Sequence, residues 1–341
     1  METYLYRLKF KGPVHFGASG IGLENSLTRL TSDAIFSALI NAFSLVEDVN
    51  PLIEELKSSN IPFILSSLFP FGPDYHTAST LYTFPQPLIT PVVSDPGVLK
   101  QIGKDLRRFK YLQLKDVVSW LSGDPLSQEH LESIIGRSKK IKDHLDTDIK
   151  ESWYRSDLRP RVAVDRTSQN SSLWFCGTIH FHPEAGLYGL INIADEIWKK
   201  RLEDAFYLLG ELGLGGERTY GMGMFEFSGF KSIPKEWEDL LKKELHYSML
   251  LSCYFPSEEE LNNFMEIFQA WDFFETRGYI VSGLTAKTLK RKRIRMVSEG
   301  SVLNRKVRGA IQDVTPDNAI RLDHRVYRSG LAFLLPQGGD I

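Results

Sequence analysis

The chain opens on an alternation. Tyr4, Tyr6, Leu8 and Phe10 fall on one side, and Leu5, Arg7 and Lys9 on the other. That two-residue period predicts a half-buried strand. Val14-His15-Phe16 follows Gly12-Pro13, and a stretch rich in Gly and Ser runs on to Leu30. Ile35, Phe36, Leu39, Ile40 and Phe43 then recur at helical spacing behind Thr31-Ser32-Asp33. A helix begins there, with Asp33 as the simplest capping residue. Residues 63–68 read as a second strand. Six prolines, Pro70, Pro73, Pro85, Pro87, Pro91 and Pro96, crowd the next thirty positions. Proline at that density breaks ladders and helices alike, so this is an inserted loop or protruding hairpin. Its distal part carries Lys100, Lys104, Arg107, Arg108, Lys110 and Lys115 against Asp105 alone. Residues 137–160 are polar and loop-like.

Strands resume at 161–165, 173–181 and 188–193. A helix follows over 195–212, with Trp198, Leu202, Ala205, Phe206 and Leu209 on its apolar face, and a strand returns at 224–227. Strand, helix, strands, strand, helix, strand is the order of a ferredoxin-like arrangement carrying insertions. The same order restarts after Pro234. Strands are expected at 246–255, 273–282, 293–297 and 324–335, and a helix at 258–270. The reading is an α+β chain of two such domains, 1–233 with insertions at 70–160, and 234–341.

Composition adds limits. A length of 341 residues matches about two domains. Forty-one Lys and Arg against 43 Asp and Glu leave a net charge of −2, which excludes a uniformly basic nucleic-acid coat but not a local patch. The two cysteines, Cys176 and Cys253, make neither a disulfide framework nor a cysteine-only zinc site, and predict small buried side chains in a reducing compartment. The amino terminus lacks a signal-peptide core, and no apolar run reaches about 18 residues. A cytoplasmic, membrane-free protein is expected.

The most informative local feature is a cluster of six glycines between 210 and 223. A dinucleotide fingerprint or a P-loop follows a strand and opens a helix. Here the helix comes first, and no Gly-Lys-Ser/Thr is present, so nucleotide cofactors are rejected. Two readings stay open. The glycines form either a tight helix cap and bulge or a concave array of N–H groups for phosphate. In the second case Arg218, Thr219 and Tyr220 add a charge, a hydroxyl and a stacking ring.

Charge separates in the second half. Lys287, Lys290, Arg291, Lys292, Arg293, Arg295, Arg305, Lys306 and Arg308 are opposed by Glu299 alone, whereas 235–275 holds ten acids and three lysines. The basic run is either a phosphate-binding surface or a solvated edge guarded by cations. His15 is either a structural or RNA-contacting histidine or the general base of a metal-independent ribonuclease. His180 and His182 share a strand face without further metal ligands in view.

These residues resemble a known family. Gly12-Pro13-Val14-His15-Phe16-Gly17, Glu24-Asn25-Ser26 and Ser32-Asp33-Ala34-Ile35-Phe36-Ser37-Ala38-Leu39 are similar to the opening of RAMP-superfamily CRISPR proteins. Arg161-Val162-Ala163-Val164-Asp165-Arg166 and the 213–223 loop fit the same pattern, and 290–302 is similar to the C-terminal part of one branch. That branch is the subunit capping the crRNA 5′ end in type III-A (Csm) interference complexes. The resemblance implies two ferredoxin-like (RRM-like) domains, no catalysis and no cofactor. It implies a grip on the repeat-derived 5′ handle of the crRNA. The partners implied are the large polymerase/cyclase subunit and the adjacent backbone RAMP subunit, in antiviral defence. It also implies a protruding hairpin that acts as a thumb on the guide, for which the proline-rich insertion with its basic stretch 100–115 is the candidate. His15, Gly17, Ser32, Gly215, Gly216, Arg218, Thr219, Tyr220 and Gly221 would line the handle site, with Arg161 and Arg166 beside them, and Lys287, Lys290 and Arg291 of the basic run are the further RNA-binding candidates. The alternatives are a crRNA-processing endoribonuclease of the same superfamily and the equivalent type III-B subunit.

Overall fold

A computed structural model describes the chain except residues 18–21, 78, 148–150, 166, 168–169, 277, 281–288, 318–321, 323 and 337–341. Its largest sheet is antiparallel. The strands Phe225–Phe227, Glu2–Phe10, Gly186–Ile193, Phe69–Pro73 and Thr80–Tyr82 lie side by side in that order. Phe63–Leu65 also pairs with Gly186–Ile193, and Lys231–Ser232 with the first strand. Helices Ser32–Phe43 and Glu196–Leu212 pack together over the sheet. Ile35, Phe36, Leu39, Leu202, Phe206 and Leu209 fill the layer between.

The first strand departs from simple alternation. Tyr4, Tyr6 and Leu8 are buried as their period predicts, but Leu5 is buried too. The inserted segment covers the second face. The Arg7 guanidinium lies over the rings of Phe71 and Tyr82 and donates to the Tyr82 hydroxyl. Trp237, just past the expected domain boundary, packs edge-on against Tyr82 and Phe84. The boundary is therefore a buried contact, not a solvated tether.

The insertion differs from expectation. Residues 100–115 do not protrude. They span the helix Pro96–Leu106, the short strand Tyr111–Leu112 and the start of the helix Leu114–Leu121. Leu106, Leu112, Leu114 and Val117 are buried in the main core. The stretch read as a polar loop begins with the end of the helix Gln128–His144. Leu131, Ile134 and Ile141 form its buried stripe, while a charged outer face masks the period. Arg137 grips the buried Asp116 carboxylate through two nitrogens at 2.6–3.1 Å, fixing this helix to its neighbour. The long exposed hairpin is instead Tyr154–Val164 with Ser171–Phe181. Leu158, Val162, Val164 and Leu173 are exposed on one face of it, and Arg159 and Arg161 occupy the other.

The C-terminal half holds a four-stranded antiparallel sheet, Phe268–Ala270, Val302–Leu303, Ser248–Leu250 and Leu334–Leu335 in spatial order. Short pairs flank it, Phe273–Thr276 with Ile294–Val297 and Ile311–Asp313 with Tyr327–Ser329. The strands expected at 246–255 and 324–335 are thus shorter or divided; within 273–282, Phe273–Thr276 and Tyr279–Ile280 are strands, and residues 277, 281 and 282 lie outside the described residues. The expected 258–270 helix is split into Glu258–Asn262 and Phe264–Ile267.

Two buried ionic clusters join the halves. Asp33, 2% exposed, pairs with Arg328, 6% exposed, across 295 residues of chain. The helix cap is Thr31, whose hydroxyl accepts from the Ala34 N–H, and not Asp33. Glu299, expected to oppose the basic run, is buried against Arg29 at 2.9 Å and accepts from the Ser67 hydroxyl. Burial raises the Glu299 carboxyl, but Arg29 and Ser67 outweigh it and hold the group below its ordinary value. Its contribution is full above the unfolded glutamate range, near pH 4.3. That contribution is lost as pH falls through the lower folded value. Glu299→Gln should therefore be less stable at neutral pH and lose less stability on acidification, as read by urea unfolding from pH 7 to 3. Both thiols are buried, and burial pushes Cys176 and Cys253 upward, so they pack rather than react.

Candidate nucleic-acid interface

The glycine loop begins where the helix Glu196–Leu212 stops. Gly213 takes φ +79° and donates its N–H to Leu209 at 2.8 Å. The Leu214 N–H bonds the Gly223 carbonyl, the Gly223 N–H bonds Pro13, and the Gly216 N–H bonds His15. These N–H groups serve the fold, so the loop is not an open phosphate nest along its whole length. Its glycines answer a steric demand. Gly215 has φ +90°, and a Cβ there would sit 2.4 Å from the His15 carbonyl oxygen. Gly215→Ala should cost roughly 2–3 kcal/mol and displace the loop. Gly221→Ala, at φ +76° with nothing within 4 Å, should cost about 1 kcal/mol. Chemical denaturation of the two variants measures the contrast.

His15 lies under this loop, 3% exposed, with Nδ1 2.7 Å from the Gly177 carbonyl oxygen. A carbonyl only accepts, so Nδ1 carries the proton. Ser32 is also buried. Its hydroxyl accepts from the Cys253 N–H at 2.9 Å and its own N–H donates to Ser67 at 2.8 Å, which ties the halves together.

Beyond the glycines the chain makes one 3₁₀ turn, Arg218–Tyr220, entered through Glu217 at φ +57°. Tyr220 is 65% exposed. The Arg161 guanidinium from the exposed hairpin sits 4.3 Å from the centre of that ring and 4.0 Å from the Glu217 carboxylate. Hairpin and loop thereby form one cationic, aromatic rim. Lys290 is exposed, its ammonium 5.8 Å from the Tyr279 ring. Arg166 and Lys287 lie outside the described residues.

A cleft of about 630 Å³ runs from the glycine loop across the first helix to the C-terminal half. Gly17, Gly215, Arg218 and Arg291, from distant parts of the chain, all border it. Ala34 and Ala38 leave its floor low, and Phe274 supplies an aromatic wall. The buried polar atoms Ser37 Oγ, Thr276 Oγ1 and Arg291 Nε have no hydrogen-bond partner among the described residues. Burial first, then the adjacent Arg328, pull the Arg291 guanidinium below its ordinary value, and Asp33 only partly restores it. Asp33 and Glu275 line the cleft with Arg29, Arg218, Arg291 and Arg328, so guanidiniums outnumber carboxylates there. An entering anion would relieve that imbalance. His15, Ser32 and Lys290 do not border the cleft; Thr219 and Tyr220 stand on the rim beyond it. Sequence reading missed Ser37, Phe274, Thr276 and Arg328. For Ser37 a signal existed: Asp33, Ala34, Ser37, Ala38 and Asn41 form a small and polar stripe at helical spacing.

Comparison with known proteins gives the class first. Residues 243–337 match the family model for the CRISPR Csm4 C-terminal domain, the class that the resemblance implied. It is Csm4-like along nearly its whole length. It is 24% identical over 387 residues to the CRISPR system Cms protein Csm4 of Methanocaldococcus jannaschii, covering 98% of this chain and 97% of that one. It is 26% identical over 316 residues to the protein of the same name from Thermococcus onnurineus, covering 89% and 90%. The fold is similar to a chain in the crystal structure of the Csm3–Csm4 subcomplex of the type III-A CRISPR-Cas interference complex. There the TM-score is 0.62 and the identity 21%, over 99% of this chain and all of that chain. A chain of the Csm1–Csm4 cassette in complex with pppApA gives 0.56 and 20%, covering 98% and 97%. No helix among the described residues is long and apolar enough to cross a membrane.

Proposed function

We propose that this chain is the non-catalytic RNA-holding subunit of a type III-A CRISPR effector. It caps the repeat-derived 5′ handle of the crRNA and links the large polymerase/cyclase subunit to the first backbone RAMP subunit. The observation that carries this reading is the cleft, which Arg218, Arg291 and Arg328 line together with Asp33 and Glu275, beside an exposed Tyr220. Single-stranded RNA is gripped by phosphate contacts and by bases laid on aromatic rings and guanidinium planes. The rim formed by Arg161 and Tyr220 supplies such a surface. Csm1–Csm4 and Csm3–Csm4 assemblies with similar chains support the two protein partners.

The architecture supports a ferredoxin-like N-terminal half. Taken in chain order as four elements, its strands lie 4-1-3-2, with two helices over the sheet. Everything between Thr80 and Phe181 is insertion, and the hairpin Tyr154–Val164 with Ser171–Phe181 replaces 100–115 as the thumb. The buried, carbonyl-bound His15 favours holding over cutting, because a general base must reach the proton it abstracts. The test is equilibrium binding of repeat-derived single-stranded RNA over a salt series. A linear fall of log K with log salt, near −0.7 per phosphate contact, is expected. Salt-independent binding, or metal-free cleavage of the repeat, would contradict the reading.

A further inference from the structure

The basic run at 100–115 has another place in the fold. Arg108 and Lys110, with Lys142 of the helix Gln128–His144 and Arg29 from the segment before the first helix, line one cavity of about 430 Å³. Asp146 is the sole acid among the described residues of its wall. Arg29 is engaged by Glu299 at 2.9 Å, and Arg108 by Asp105 at 3.1 Å. Among the described residues no ion pair engages Lys110 or Lys142, and both are exposed. Ser138, 1% exposed, also lines this cavity, and its hydroxyl has no hydrogen-bond partner among the described residues. Phe109 and Ile141 give it apolar sides.

This cavity adjoins the cleft already described. Leu27 and Arg29 border both, so that short segment is the wall between them. We propose that the cavity takes a phosphate group, the next one of the RNA strand held in the cleft. Two ammonium groups and a hydroxyl recognise phosphate as point charges and a single donor. They lack the fork of a guanidinium, so they hold the backbone without reading a base. The insertion then lengthens the RNA footprint past the glycine loop. This inference rests on the cleft as the RNA site.

The test uses the full chain and the variant Lys110→Glu/Lys142→Glu, with Lys110→Arg/Lys142→Arg as the charge-keeping control. All four substitutions are at exposed positions, so folding is expected to hold. The probes are repeat-derived single-stranded RNA and, separately, inorganic pyrophosphate. Charge reversal should weaken RNA binding at least tenfold and flatten the salt slope by about 0.7 for each phosphate no longer neutralised, while the arginine pair binds like wild type. If reversal leaves RNA affinity and slope unchanged while Arg218→Glu still weakens binding, the second site is overturned and the cleft stands. If reversal removes pyrophosphate binding without touching RNA, strand continuation is overturned and the cavity serves a free phosphate ligand. Failure of the cleft itself would show separately, as an Arg218→Glu variant that binds RNA like wild type.

Discussion

Arg218→Glu is expected to weaken binding of repeat-derived single-stranded RNA by about tenfold to a hundredfold. The magnitude follows from removing one charge-assisted hydrogen bond, roughly 1.5–3 kcal/mol, where tenfold is about 1.4 kcal/mol. Arg218 is exposed on a 3₁₀ turn and borders the cleft, so its replacement takes away a phosphate partner without opening the core. Unfolding of the variant should match wild type within about 0.5 kcal/mol. The salt slope should flatten in parallel, since a reversed charge releases fewer counterions. Thr219→Ala, beside it, should cost far less. A variant that holds RNA like wild type would show that the glycine-loop end of the cleft does not touch the strand.

Asp33→Ala should carry a large stability cost, about 3–5 kcal/mol, because it removes the carboxylate with which a buried guanidinium pairs. The Asp33 carboxylate pairs with Arg328 and also accepts from the Ser329 N–H at 3.3 Å. Those contacts fasten the first helix to the strand Tyr327–Ser329 of the other half. Arg328→Met should be costly alone, yet the double variant should cost clearly less than the sum, since the ion pair is then removed whole. Urea unfolding of the four proteins closes the cycle. The same substitution should loosen the cleft, lowering RNA affinity at temperatures where the variant is still folded. A single-variant cost below 1 kcal/mol would show the pair to be incidental to how the halves are held.

Much of the N-terminal sheet was legible because its signals are local. The alternation at Tyr4, Tyr6 and Leu8 and the period of Ile35, Phe36 and Leu39 lie in single elements with one buried face. The insertion misled for an identifiable reason. Proline marked a break in ladders, but several of those prolines sit at strand ends or open a helix, as Pro96 does after the Asp95 cap. The charged outer face of the helix Gln128–His144 hid its thin apolar stripe. The site divides in the same way. The glycine cluster and Arg218 were visible as a run, and Arg291 as part of a basic block. Thr276, Phe274 and Arg328 were not, because only the packing of the two halves brings them to the first helix. The buried role of Ser32 was equally hidden, since its partners, Ser67 and Cys253, are remote in sequence.

The most direct test of the central claim is sequencing of RNA crosslinked to this chain, co-expressed with a CRISPR array and its partner subunits. Crosslinks should concentrate in the repeat-derived 5′ end of the crRNA, mapping to the rim at Arg161, Arg218 and Tyr220 and to the cleft beside Arg291. Crosslinks spread along the spacer, or cleaved repeats released without partners, would contradict the claim.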